Sequence, residues 1–260
     1  MFRENEGKGA VGAFNLHCFE MLPAMIAAAQ ELGTPIIIQT SLGTAEYIGF
    51  EALIAAVKAL AKKADINVCL HMDHCKSIEA LKKAIDLGYS SVMYDGSDLP
   101  LEENIKNTQE VVAYAHERNV SVEGEIGKKS DAAYTKPADA IRFVKETNVD
   151  ALAVAIGTTH GQYKSKANIN YELLETLQDK LPDVGLVLHG GTGVSDEDMK
   201  RCAKGMKKIN VGTELNKSYI EEVNASFPDA TPLTSLRKLF TPANDHIKRI
   251  LTENSTLFKI

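Results

Sequence analysis

The chain has 260 residues, 44% hydrophobic and 25% charged, an ordinary globular composition with a length that suits one α/β domain over 1–260. Its formal net charge of −6 argues against a surface devoted to nucleic acid or an anionic membrane, so any phosphate must be caught locally. No apolar run approaches the roughly 18 residues that span a bilayer, and the N-terminal MFRENEGKGA is too charged for a signal-peptide core, which makes the cytoplasm the expected location.

Eight short β-branched runs alternate with helical stretches from one end of the chain to the other. AVGAFN (10–15) leads into Asn15 and His17. IIIQT (36–40) ends at Ser41 and is followed by the amphipathic EALIAAVKALAKKA (51–64). NVCLHMD (67–73) ends at Asp73-His74 before SIEALKKAIDLG (77–88), which Ser77 opens and Gly88 closes. SSVMYD (90–95) brings Asp95, Gly96 and Ser97 ahead of LEENIKNTQEVVAYAHERN (101–119). VSVEGEI (120–126) carries Glu123 and Glu125, and ALAVAIG (151–157) runs into Thr-Thr-His160-Gly161. GLVLHG (185–190) continues as His189-Gly-Gly-Thr-Gly193 before DEDMKRCAKG (196–205), which follows Ser195. KKINVGT (207–213) is the eighth run, and from about Asn216 onward the pattern reads as the eighth helix plus one or two more, interrupted by Pro228 and Pro232. Eight βα units in this length predict a closed (β/α)8 TIM barrel with additional C-terminal helices rather than an open doubly wound sheet.

In such a barrel the reactive groups gather at the C-terminal ends of the strands, and here the polar residues fall there. His74, His160 and His189, from strands three, six and seven, can converge on one point, and three imidazoles with an open position suit a catalytic zinc. A lone strand-end histidine is more often a hydrogen-bonded rim residue; three of the chain's 7 histidines at one predicted face shift that balance. His71 is read as a packed barrel residue, and His116 and His246 as helix residues. Asp73 is placed for acid–base work beside the metal, with a structural aspartate as the bland reading. Glu125 and Asp95 can either orient a histidine or bind the metal themselves. The HGGTG turn after strand seven and NVGT after strand eight occupy the loops that often bind phosphate, where bare backbone N–H groups can approach its oxygens. Lys164 can supply a point charge to a second phosphate or stand solvated in its loop. Cys18, Cys69, Cys75 and Cys202 lack disulfide spacing and are read as reduced thiols, with Cys75 a packed residue rather than a ligand.

The motifs GAFN, LHMDHC, SVMYDGS, VSVEGEIG, DALAVAIGTTHGQYK, LVLHGGTG and KINVGTEL, in that order, resemble the class II fructose- and tagatose-bisphosphate aldolases from about Gly12 to Asn216. The resemblance implies zinc held by His74, His160 and His189, with Glu125 an adjacent acid that can reach it. It implies that Asp73 moves the proton of the C4 hydroxyl. Gly161, Gly190, Gly191, Thr192, Asn210 and Thr213 would cradle the phosphate of dihydroxyacetone phosphate near a monovalent cation, Na+ or K+. Gly212, beside them, stands where fructose-type enzymes often carry Asp and points to the tagatose-like branch; Asn15 and Ser41 complete the expected sugar-phosphate site. A homodimer or homotetramer is similar to the family.

The chain departs from that pattern in three places. After EIG (125–127), KKSDAAYTKP leads straight to the next helix, where the family has a long loop bearing a proton-handling glutamate; Asp131 is a poor substitute. Gly96 and Asp98 replace the usual Ala and His. The short N-terminus is expected to leave the barrel bottom partly uncovered near Phe2. Two other readings therefore stand beside the aldolase: a homologue that binds zinc and a sugar phosphate with little or no turnover, to which the short loop points, and a zinc hydrolase, against which the paired phosphate loops count.

Overall fold

Eight parallel strands close on themselves: β1 (Val11–Asn15), β2 (Ile36–Thr40), β3 (Val68–Cys75), β4 (Ser91–Tyr94), β5 (Ser121–Glu125), β6 (Ala151–Ala153), β7 (Gly185–Leu188) and β8 (Lys208–Val211). Each pairs with the next in sequence and β8 pairs with β1, so the (β/α)8 barrel expected from the alternating runs is the observed architecture. The computed structural model describes residues 1–2, 5–127, 134–158, 168–228 and 230–259.

The helices are α1 (Leu22–Leu32), α2 (Leu42–Ile48), α3 (Phe50–Ala64), α4 (Ile78–Leu87), α5 (Leu101–His116), α6 (Pro137–Thr147), α7 (Tyr171–Lys180), α8 (Asp196–Ala203), α9 (Thr213–Ser226) and α10 (Leu236–Leu257). Two of the serines expected to open helices do so: Ser77 Oγ accepts from the Ala80 N–H at 3.2 Å and Ser195 Oγ from the Asp198 N–H at 3.2 Å. α10 is the additional C-terminal helix, packed on α1 and α9. Most strands are one or two residues shorter at an end than their sequence runs, and two depart in a way that bears on the site. β6 stops at Ala153, short of residue 157, and β3 continues through His74 to Cys75.

Because both faces of a parallel barrel sheet are covered, its strands bury two kinds of surface. Outward residues such as Phe14, Ile38, Met72, Val122 and Leu188 meet the helices in the main apolar core. Inward residues form two small clusters, one of Val11, Ala13 and Ile37 and one of Ala151, Ala153 and Val187. Phe2 packs against both, and Met1 against the first. The expectation of an uncovered bottom near Phe2 is thus corrected. Small inward side chains leave room for one aromatic ring, and Gly185 sits so close that a Cβ there would lie 2.8 Å from it. Higher up, the inward positions turn polar, with His71, Ser91, Glu123 and Lys208 all buried.

Truncating the plug removes a half-buried ring that joins two clusters. Phe2→Ala is expected to destabilise the fold by about 1–3 kcal/mol, seen as a lower Tm with the site residues undisturbed.

Candidate active site

The mouth is built from strand ends, and β3 supplies its central pair in an unexpected way. Neighbouring residues of a strand point to opposite faces, so Asp73, which follows inward-facing His71 by two, should leave His74 facing out. Pairing between β3 and β4 instead shifts between Met72 and Cys75, and His74 takes a left-handed backbone with φ 47°. That irregularity swings the ring back over the mouth. A left-handed φ on a non-glycine residue costs on the order of 1 kcal/mol or more and concentrates at functional sites.

Asp73, His74 and His189 each present a ligand atom within 4.8 Å of the others, and His74, Asp95 and Glu125 form a second such group. The rings of His74 and His189 lie edge to face with centroids 4.7 Å apart. Asp95 Oδ2 is 2.9 Å from His74 Nδ1, and its other oxygen accepts from Ser97 Oγ at 2.6 Å and the Ser97 N–H at 3.2 Å. Glu125 Oε2 stands 3.4 Å from His74 Nδ1 and 3.9 Å from His189 Nδ1. Two imidazoles facing three buried carboxylates form a donor set suited to a divalent cation. The electrostatics agree: burial opposes a charged His74, yet the hydrogen bond to Asp95 and the charges of Asp73 and Glu125 push it up to about 9. Positive charge is wanted where those groups meet.

Asp73 is held as a carboxylate. Burial pushes it up, but His74 first and then Lys208, His189 and His71 outweigh that and leave it below its ordinary value. Asn15 Nδ2 donates to Asp73 Oδ2 at 2.9 Å, and Gln39 Nε2 in turn donates to Asn15 Oδ1 at 2.7 Å. Asp73 Oδ1 is buried and has no hydrogen-bond partner among the described residues. A Cβ at Gly212 would stand 2.6 Å from Asn15 Oδ1, so a larger residue there would disturb the group that steadies Asp73. His17 Nε2 approaches the Gly212 carbonyl at 3.3 Å, and burial lowers its pKa.

The expected phosphate loops also converge. Gly190 is left-handed with φ 72°, while a Cβ on Gly191 would lie 2.9 Å from the Asn210 carbonyl oxygen, so the β7 loop lies tight against β8. Thr192 Oγ1 accepts from the Glu214 N–H at 3.3 Å, next to Thr213 at the start of α9. Asn210 is buried with its Oδ1 unpartnered among the described residues. Ser41 is exposed and caps α2 through the Thr44 N–H at 3.2 Å. His160, Gly161, Lys164 and Asp131 lie outside the described residues. Cys75 is buried with Sγ directed to the Ser77 carbonyl, and belongs to neither ligand group. His116 and His246 sit on helices and pair with Asp150 at 2.9 Å and Glu222 at 3.1 Å.

Lys208 and Glu123 were given no role by sequence reasoning, and they form the floor of the site. Lys208 Nζ lies 2.8 Å from Glu123 Oε2, and Glu123 Oε1 lies 2.8 Å from His189 Nε2. Burial favours the neutral acid, but Lys208 and the bond from His189 hold Glu123 far below the usual carboxylate range. His71 is driven down to about 3 by burial and by Lys208. The signal was a period of two: Lys208 precedes inward Asn210 by two, as Glu123 precedes Glu125.

A closed barrel whose strand ends gather histidines, carboxylates and glycine turns has the layout of a barrel enzyme, with side chains that could hold a metal ion. Over residues 2–260 the chain matches the model for the class II fructose-bisphosphate aldolases and belongs to that family, which makes it an aldolase, a carbon–carbon lyase. It is 39% identical over 255 residues to the fructose-bisphosphate aldolase of Geobacillus stearothermophilus, covering 93% of this chain and 88% of that one. It is 40% identical over 232 residues to the 6-phospho-5-dehydro-2-deoxy-D-gluconate aldolase of Shouchella clausii, covering 85% and 79%. Among solved structures, the YdjI aldolase of Escherichia coli K12 superposes with a TM-score of 0.87 at 36% identity, over 96% of this chain and 91% of that one.

The His74 proton sets the pH response of the metal-free chain. A folded-state pKa raised from 6.5 to about 9 gives stability that is complete below 6.5 and lost as pH climbs through 9. Thermal melts in chelator are expected to show Tm falling across that window, with a shallower fall in Asp95→Asn, which lacks the largest raising interaction.

Proposed function

We propose that the chain catalyses zinc-dependent, reversible aldol cleavage of a phosphorylated ketose, of the fructose or tagatose 1,6-bisphosphate type, to dihydroxyacetone phosphate and an aldehyde. The convergence of Asp73, His74 and His189 at the mouth of a class II aldolase barrel supports this reading. His74 and His189 are two zinc ligands in it, and His160, which follows β6 in the sequence, is the third. Asp95 orients His74, while Glu125 is close enough to serve as a further ligand. Zinc there supplies positive charge beside the ketone that must receive the electron pair of the broken C3–C4 bond.

Asp73, ionised and steadied by Asn15, takes the C4 hydroxyl proton on its open oxygen as the aldehyde leaves and returns it during condensation. Gly190, Gly191, Thr192, Asn210, Gly212 and Thr213, together with Gly161, hold the phosphate next to the ketone near a monovalent cation. Ser41 and Lys164 are assigned to the far end of the substrate. Assembly as a homodimer or homotetramer belongs to the same reading.

A second substrate class is favoured by the relatives named for 6-phospho-5-dehydro-2-deoxy-D-gluconate. That molecule also sets its ketone beside a phosphorylated carbon, so one half of the site serves both; at the other end it offers a carboxylate in place of a phosphate. Coupled detection of dihydroxyacetone phosphate from all three substrates separates the cases. Release from at least one is expected, abolished by chelator, with Asp73→Asn lowering kcat about 100- to 10,000-fold at unchanged zinc content and His74→Ala losing zinc. Zinc bound without turnover of any substrate would instead identify a non-catalytic binder, in keeping with the short segment after Gly127.

A further inference from the structure

Below the mouth, side chains from β4, β3, β8 and β5 and from the turn after β7 form one hydrogen-bonded line. Ser91 Oγ is 2.8 Å from His71 Nδ1, Lys208 Nζ is 3.4 Å from His71 Nε2 and 2.8 Å from Glu123 Oε2, and Glu123 Oε1 is 2.8 Å from His189 Nε2. All five side chains are buried.

The donors and acceptors in this line have one consistent arrangement. An ammonium only donates, so His71 Nε2 accepts from Lys208 and His71 carries its proton on Nδ1, where it donates to Ser91. A carboxylate fixed against that ammonium only accepts, so the bond between Glu123 and His189 must be donated by His189 Nε2. The ring nitrogen turned toward Glu125 is then Nδ1, on the side where His74 and Asp73 gather.

We propose that Lys208 and Glu123 are positioning residues that fix His189 in its Nε2-protonated tautomer and thereby commit Nδ1 to a metal ion. The inference rests on the metal-binding reading above. Its logic is that of an outer carboxylate orienting a ligand histidine, with a buried lysine keeping that carboxylate from becoming a donor. Without Lys208, Glu123 could keep a proton and donate it in a hydrogen bond to an unprotonated Nε2, and the lone pair of His189 beside Glu123 would then point away from the mouth.

The tautomer can be read directly from long-range proton–nitrogen spectra of 15N-histidine-labelled, metal-free wild-type protein in mildly alkaline buffer, with His189 assigned by its loss in His189→Gln. A proton on Nε2 alone is expected; a proton on Nδ1 overturns the proposal. Chelator competition for zinc then compares wild type with Lys208→Met, Glu123→Gln and Lys208→Arg. The first two are expected to bind about 10- to 100-fold more weakly, with arginine restoring part of the loss. Folded Lys208→Met that binds zinc as tightly as wild type would also overturn it. Should wild type bind no zinc, the functional reading fails, while the wild-type spectrum still decides the tautomer without relying on any variant's folding.

Discussion

The ion pair of Lys208 and Glu123 is the constraint on which the barrel interior is organised. Both side chains are 2% exposed, a depth at which a lone charge costs several kcal/mol and is tolerated only with a partner and further hydrogen bonds. Those bonds come from His71 and His189, which fixes residues on β3 and after β7 relative to β5 and β8. Below this layer the inward side chains are small and apolar and Phe2 fills the remaining space; above it they carry charge. One buried pair therefore separates a stabilising floor from a reactive mouth, in line with the usual division of such barrels.

The second organising feature is the break in β3. Regular alternation can deliver His71 and Asp73 to the interior, but not Asp73 and His74 together. The register shift before Cys75 and the left-handed His74 place adjacent residues at one site, with Asp95 holding the displaced ring at 2.9 Å. Backbone strain is thus offset by a hydrogen bond to a carboxylate that is itself locked by Ser97. Asp73 and His74, adjacent in the chain, are thereby held at one point of the mouth by a single irregularity of the strand.

Much of this was legible in the sequence because its signals are local. Each β-branched run became a strand, and the polar residues read at the strand ends do meet where Asp73, His74, His189, Asp95 and Glu125 are described. What escaped needs distance information. Nothing in LHMDHC announces a bulge, since a regular strand would use the same residues. Phe2 could be seen as a plug only once Ala151, Ala153 and Gly185 were known to leave a hole of its size. Lys208 and Glu123 were readable in principle through the two-residue period, but their partnership spans 85 positions of sequence.

Charge balance ties these parts to function. Asp73, Asp95, Glu123 and Glu125 are all buried in or just beneath the mouth, and among the described residues Lys208 is the buried lysine that answers them. It pairs with Glu123, and the carboxylates nearer the opening face His74 and His189. In the metal-free chain a proton on His74 supplies positive charge there, and a divalent cation held by the same ring would compete with that proton. The same acids that keep His74 protonated are the ones that, together with it, could hold a metal ion. Under the proposed function, stability and metal occupancy would be linked through this one imidazole, above the floor that Lys208 and Glu123 form.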